Sequence, residues 1–286
     1  MRTAPYSPKK SLGQHFLHDG NIARNIVAQL DPQPEDHVLE VGPGPGVLTR
    51  ILAASGCHLI AADIDARAVE ALRDVFPPGQ HPRVELRHAD ILRVDPTALL
   101  PPDGTKLRVI GNLPYNITSQ ILFRLFDFHN AVSDAVVMMQ REVAERILAA
   151  EGNKEYGILS VITQTHAAVR RCFHVSPNVF TPKPKVWSTV LHLRFEQTRL
   201  AKIRNYSFFR RLVKATFGQR RKTLSNSLRQ LGISRDDING EATAFLSLRP
   251  EQLAITDFIT LSNLIDHLGG DAGRAEQGED DGTRKK

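Results

Sequence analysis

The segment His37-Val-Leu-Glu-Val-Gly-Pro-Gly-Pro-Gly46 decides how the rest of this 286-residue chain is read. Its apolar first half predicts a strand over His37–Val41. The glycines at 42, 44 and 46 then allow a tight turn that brings backbone close to a ligand with no Cβ in the way. A helix over Gly46–Ser55 follows. The same unit recurs downstream, with strands expected at His58–Asp63, Arg83–Arg87, Leu107–Gly111 and Ala135–Met139. Helices are expected at Asp65–Val75, Thr118–Phe126 and Arg141–Ala149. Short β-rich runs alternating with amphipathic helices build a parallel α/β sheet. The segments His166–His174 and Ser188–Phe195 predict two more strands with no helix between them, so the sheet should end in an antiparallel pair.

Past Phe195 the composition changes. Between Arg199 and Arg229 there are ten Lys or Arg residues and no Asp or Glu. Phe209, Leu212, Val213 and Phe217 recur at helical spacing there, and Leu261, Leu264, Ile265 and Leu268 mark a last helix. The expected organisation is a domain over 1–196, a small all-helical basic domain over 197–268, and a tail over 269–286. That tail holds no aliphatic residue larger than alanine and is expected to be disordered.

The bulk composition bounds the function. No apolar run approaches the roughly 20 residues that cross a bilayer, and the N-terminus lacks a signal-peptide core, so a cytoplasmic enzyme with no membrane partner is expected. The two cysteines, Cys57 and Cys172, are far apart and make no CxxC motif, and the eleven histidines are scattered. No disulfide framework and no metal site are expected. A net charge of +6 invites a polyanionic partner.

Ligands of open parallel sheets lie over the carboxyl ends of the strands. Pro43 and Pro45 stiffen the glycine turn but remove amide donors that a pyrophosphate would want, which favours a ligand without phosphates. Asp63, ending the second strand, can accept hydrogen bonds from both hydroxyls of a ribose. Asp90, after the third, can accept from an adenine amino group. Asp65 fits a helix cap better. Adenosine bound without phosphate means S-adenosylmethionine.

The string Gly111-Asn-Leu-Pro-Tyr115 carries the chemistry. An aryl amine such as adenine N6 is a poor nucleophile, because its lone pair is delocalised into the ring. The Asn112 side-chain oxygen and the Leu113 carbonyl can each accept one N6–H bond and favour a tetrahedral nitrogen aimed at the methyl group. Pro114 fixes the turn, and Tyr115 offers a stacking surface worth roughly 1–3 kcal/mol per base. No general base is needed before attack, since a sulfonium is already an activated donor.

Over almost its whole length the sequence resembles the small-subunit (16S) ribosomal RNA adenine N6,N6-dimethyltransferases, the kasugamycin-sensitivity methyltransferases. The resemblance rests on Lys10-Ser-Leu-Gly-Gln-His-Phe-Leu17, Glu40–Gly46, His88-Ala-Asp90, Gly111–Ile117, Asn178–Val186 and Phe217–Leu224. It implies a class I (Rossmann-like) S-adenosylmethionine-dependent fold with an antiparallel final strand. It also implies cofactor contacts from His15, Leu17, Gly42, Gly44, Asp63, Asp90 and Asn112. Asn112, Leu113, Pro114 and Tyr115 with Phe180 would hold a flipped adenine, and two adjacent adenosines near the 3′ end of the rRNA would each receive two methyls. His15 and Asp63 depart from the usual asparagine and glutamate, and both keep hydrogen-bonding ability.

Phe180 precedes Thr181-Pro-Lys-Pro-Lys185, whose prolines forbid regular helix, and is expected to sandwich the base with Tyr115. Lys183, Lys185, Arg210, Arg211, Lys214, Arg220, Arg221 and Lys222 are the expected RNA contacts. The implied partner is 16S rRNA in the small subunit or its precursor, not DNA, with a monomer as the default state. The alternatives are a macrolide-resistance type enzyme acting on large-subunit rRNA, a DNA adenine methyltransferase, a ribosome-assembly factor that binds without chemistry, and a dinucleotide-dependent oxidoreductase.

Overall fold

The computed structural model describes residues 6–101 and 103–269. Its contacts divide it into two compact units: residues up to Leu148 with His166–Glu196, and Ala149–Thr165 with residues from Gln197 onward. The sequence alone puts 149–165 in the first domain. Its side chains pack otherwise: Tyr156 is fully buried and meets Phe217 edge to face at 5.8 Å between ring centroids. The expected tail beyond Gly269 lies outside the described residues.

The first unit is built on a seven-stranded sheet. Its strands are β1 (His37–Val41), β2 (His58–Asp63), β3 (Val84–His88), β4 (Leu107–Asn112), β5 (Val132–Gln140), β6 (Ala167–Val175) and β7 (Ser188–Phe195). Their order is 3-2-1-4-5-7-6. Strands β1 to β5 run parallel, and β7 is antiparallel to both β5 and β6. Val109, Ile110, Val136, Val137 and Met138 are fully buried, the near-continuous apolar pattern of strands covered on both faces. The strand order reverses between β1 and β4, which opens a crevice at their carboxyl ends.

A helix that the sequence reading did not foresee, α1 (Gly20–Leu30), starts at Asp19, whose carboxylate accepts from the amides of Asn21 and Ile22. It buries Ala23, Ile26, Val27 and Leu30. Full burial contributes about 1.5–3 kcal/mol for a residue such as Ile26 or Leu30. After the glycine turn comes α2 (Val47–Ser55). Gly111 sits where a Cβ would lie 2.6 Å from the Val41 carbonyl oxygen, so the close approach of β4 to β1 requires a glycine.

At the amino ends of the strands, Arg108 grips Asp134 with two bonds of 2.8 Å and Asp36 with one of 2.7 Å. His192 Nε2 lies 2.8 Å from the same Asp134 carboxylate. Burial alone would raise the Asp134 carboxyl, but the bonds from Arg108 and His192 hold it at about 2.

In the second unit the helix Tyr206–Gly218 is capped by Asn205 and buries Phe208, Phe209, Leu212, Val213 and Thr216. Phe217, expected in that stripe, is partly exposed, and Phe208 takes the buried place. The last helix, Ile255–Ile265, buries Phe258, Ile259, Leu261, Ser262 and Ile265, while Leu264 and Leu268 are only half-buried.

Candidate active site

The crevice at the strand ends is a cleft of about 730 Å³ open to solvent. Its wall contains His15, Leu17, Glu40, Gly42, Gly44, Asp63, Ile64 and Asn112 through Tyr115. Nine of the residues singled out from the sequence (His15, Leu17, Gly42, Gly44, Asp63 and Asn112–Tyr115) therefore meet in one place.

The turn after β1 is held from β2. One Asp63 oxygen accepts from the Gly44 amide at 3.1 Å and the other from the Asp65 amide at 2.8 Å. Burial raises the Asp63 carboxyl above its ordinary value, and those two amides oppose the rise. Gly42 adopts φ +68°, and a Cβ added there would meet nothing within 4 Å, so its bare face borders open space. Asp65 caps the next helix, as the sequence suggested, accepting from the Arg67 amide. It also binds the Arg67 guanidinium at 2.6 Å and Gln14 at 3.2 Å, which ties the N-terminal segment to this turn. The Arg67 bond is the main cause that holds the Asp65 carboxyl far below the usual range.

Asn112 ends β4, and its side-chain amide donates to the His15 carbonyl at 2.9 Å. That bond uses the nitrogen and so turns the Asn112 oxygen the other way. The following turn is equally fixed. Leu113 N donates to Met138 O at 3.0 Å, and the Pro114 carbonyl accepts from Ile117 N at 3.2 Å and from the Thr118 hydroxyl at 2.9 Å. Tyr115 binds Ser188 Oγ at 2.7 Å through its hydroxyl. The His15 ring stacks on Tyr115 at 5.2 Å between centroids and 27° between planes. His15 Nδ1 donates to Pro182 O at 2.7 Å, because a carbonyl can only accept.

Among the residues of the cleft wall that the sequence reading did not single out, three carry chemistry. Glu40 is 1% exposed, and its Oε2 has no hydrogen-bond partner. The signal was an acid set between Leu39 and Val41 in an apolar strand. Ile64 is 49% exposed, an apolar surface suited to the face of an adenine. Gln14 is the third. The donor set fits an adenosine with a cationic tail: Asp63 for a ribose, Ile64 for the base, and the unpartnered Glu40 oxygen for positive charge.

Two expected contacts do not line this cleft, although Ala89, next to Asp90, donates its amide to the Asp63 carbonyl at 3.0 Å. Asp90 is not in the cleft wall; its carboxylate accepts from the Leu92 amide at 3.0 Å and lies 3.6 Å from Arg93 Nε. Phe180 is 3% exposed and packs in a core cluster with Leu17, Ile26, Val27 and Val190. The cause is strand pairing across the chain: Phe16–Leu17 and Phe180–Thr181 form a two-stranded antiparallel ribbon in which Leu17 faces Phe180. The ring turns inward with it.

Lys183 and Lys185 are exposed. In the second unit Lys214, Arg221 and Lys222 are exposed, whereas Arg220 bonds Asn153 O at 3.1 Å and lies 3.8 Å from Glu251. Arg210 and Arg211 lie over Tyr206 and Phe208. Among the described residues no group of three His, Cys, Asp or Glu side chains is arranged to hold a metal ion.

A model of the ribosomal RNA adenine dimethylase family matches residues 6–261. The chain belongs to that family. The dimethylase is thus an S-adenosylmethionine-dependent enzyme acting on adenine in ribosomal RNA, and its fold is that of the class I methyltransferases. It is 42% identical over 278 residues to ribosomal RNA small subunit methyltransferase A of Geobacter metallireducens, covering 94% of this chain and 100% of that one. The protein of the same description from Salinibacter ruber is 44% identical over 262 residues, covering 92% and 86%. A dimethyladenosine transferase structure from Plasmodium falciparum shares the fold at TM-score 0.75 and 23% identity, over 89% of this chain and 98% of that one. The 23S rRNA methyltransferase ErmE aligns at TM-score 0.60 and 26% identity, over 88% and 99%.

Proposed function

We infer that the dimethylase modifies N6 of two adjacent adenosines near the 3′ end of small-subunit rRNA; the names of its relatives support the small subunit, and the motif resemblance supports the rest. The observation that carries the chemistry is the Asn112 amide held on the His15 carbonyl, in the same cleft wall as the Tyr115 ring. S-adenosylmethionine, when bound, supplies a methyl group already activated as a sulfonium. Asp63 and the bare turn at Gly42 and Gly44 would hold its adenosine, and Glu40 would balance its positive charge. The Asn112 oxygen and the Leu113 carbonyl accept hydrogen bonds from the two N6–H groups of the substrate, which localises the lone pair on nitrogen, and the methylated ammonium then loses a proton to water. Tyr115 stacks on the base. Its hydroxyl is committed to Ser188, so the ring is pre-set for stacking and needs no ordering on binding.

Phe180 acts through the turn it anchors. Its burial fixes Thr181-Pro182, whose carbonyl receives the His15 proton. Asp90 belongs to the turn after β3 and contributes there. The exposed Lys214, Arg221 and Lys222 form a footprint for phosphates, and the enzyme works as a monomer in the cytoplasm.

The decisive experiment is transfer of labelled methyl groups to unmethylated small subunits, with nucleoside analysis of the product. N6,N6-dimethyladenosine is expected, and Asn112→Ala should lower the rate by about 10²–10³-fold, the usual cost of one lost transition-state acceptor or donor. Label in large-subunit RNA alone would assign the activity to a different rRNA, and an Asn112→Ala protein of unchanged rate would refute the mechanism.

A further inference from the structure

Among the described residues three large apolar side chains are exposed: Ile64, Val186 and Trp187. Ile64 belongs to the cleft wall. Val186 and Trp187 are consecutive, 43% and 49% exposed, and the adenosine site makes no use of them.

We propose that Trp187 is a stacking platform for an unpaired nucleobase of the RNA strand flanking the methylated adenosine. The inference rests on the rRNA adenine methylation reading and adds a specificity element to it. Position comes first. Ser188, the next residue, takes the Tyr115 hydroxyl at 2.7 Å, and consecutive Cα atoms are about 3.8 Å apart. The Trp187 backbone therefore lies one residue from the contact that holds Tyr115. Its backbone is firm: Trp187 O accepts from Arg141 N at 2.9 Å, and Ser188 is paired on both sides, with Gln140 of β5 and Val175 of β6. An aromatic ring on so fixed a base loses little freedom when it stacks.

Charge selects the occupant. Lys183 and Lys185 are exposed just before the indole, and no Asp or Glu occurs between Ser176 and Phe195. The acids on the adjoining helix are paired, Glu145 with Arg141 and Glu142 with Arg146, so an aromatic surface on a segment with two exposed lysines and no acid of its own matches a single-stranded polyanion that carries π-faces along its length. Extruding one base leaves its neighbour without a stacking partner, and sequence-specific RNA readers supply that partner from aromatic side chains.

Trp187 is the single tryptophan of the chain, so its fluorescence reports this site alone. The full-length protein is titrated with a short single-stranded RNA carrying two adjacent adenosines, and in parallel with polyphosphate, which has the charge but no bases. Saturable quenching by RNA and none by polyphosphate is expected. In methyl transfer to small subunits, Trp187→Ala should raise KM for RNA about 5- to 150-fold, the range of one lost base stack. Trp187→Phe should restore most of it, with the loss in KM and not in kcat. Equal quenching by polyphosphate, or an unchanged KM for Trp187→Ala while the wild type methylates normally, overturns the platform and leaves the adenosine reading intact. Failure of the wild type to methylate any RNA overturns both.

Discussion

Glu40 offers a sharp test of the cleft, because its energetics follow from its surroundings. It is 1% exposed, one oxygen has no partner, and its carboxyl is pushed up to about 8 from 4.5. Burial is the main cause, the Asp63 charge adds to it, and the neighbouring Thr49 opposes it. The folded chain therefore holds the acid neutral over a range where the unfolded chain ionises it. The favourable contribution is complete below the unfolded value and is lost as pH rises through the folded one. At 1.36 kcal/mol per unit, the gap of between three and four units amounts to about 5 kcal/mol at most. Glu40→Gln keeps the shape and is neutral at every pH. Urea unfolding between pH 6 and 8 should show the wild type losing about 2–3 kcal/mol relative to the variant, with Tm following at about 2–4 °C per kcal/mol. A bound cation pulls a carboxyl down, so S-adenosylmethionine affinity should climb with pH in the wild type and stay flat in Glu40→Gln. Parallel stability curves for the two proteins over that pH range would refute the buried-acid argument.

Other outcomes follow from the same geometry. Arg108→Ala strips the fork from Asp134 at the amino ends of the strands and should cost about 3 kcal/mol in denaturant unfolding, as for a broken buried ion pair. Methyl transfer at a permissive temperature should persist, since the cleft lies at the opposite strand ends; loss of activity in a stable Arg108→Ala protein would contradict this. Phe180→Ala should lower unfolding free energy by about 3 kcal/mol through a core cavity, and an unchanged Tm would deny its burial. Replacing Lys214, Arg221 and Lys222 by alanine should weaken RNA binding and reduce the slope of log affinity against log salt by about 2. An unaltered slope would remove these side chains from the footprint.

The sheet was legible because its signals are local. Alternating and continuous apolar runs gave β1, β2 and β7 to the residue, and Gly42 to Gly46 marked the turn above the ligand. The edge strand β3, less buried, came out one residue later than its apolar pattern suggests. The helix Gly20–Leu30 was also legible in retrospect, with Asp19 as cap and Ile26, Val27 and Leu30 at helical spacing. What local pattern cannot carry is partnership across the chain. Asn112 and His15 are 97 positions apart, and nothing in either neighbourhood announces their bond. Phe180 looked exposed beside its prolines because its pairing with Leu17 is a tertiary fact. Arg220 read as a free cation for the same reason, since Glu251 and Asn153 O lie far along the sequence.

The bond from Asn112 to the His15 carbonyl separates two abilities that enzymes usually acquire together. The strands and the glycine turn supply the acids and the bare backbone that face an adenosine, and they come from neighbouring βα units. Activation of an amine needs more: the N-terminal ribbon must close on Phe180–Thr181 before the His15 carbonyl is in place to orient the catalytic amide. A chain folded everywhere except at that ribbon would hold its methyl donor without spending it. Competence for transfer thus depends on the joining of two segments more than 160 positions apart in sequence.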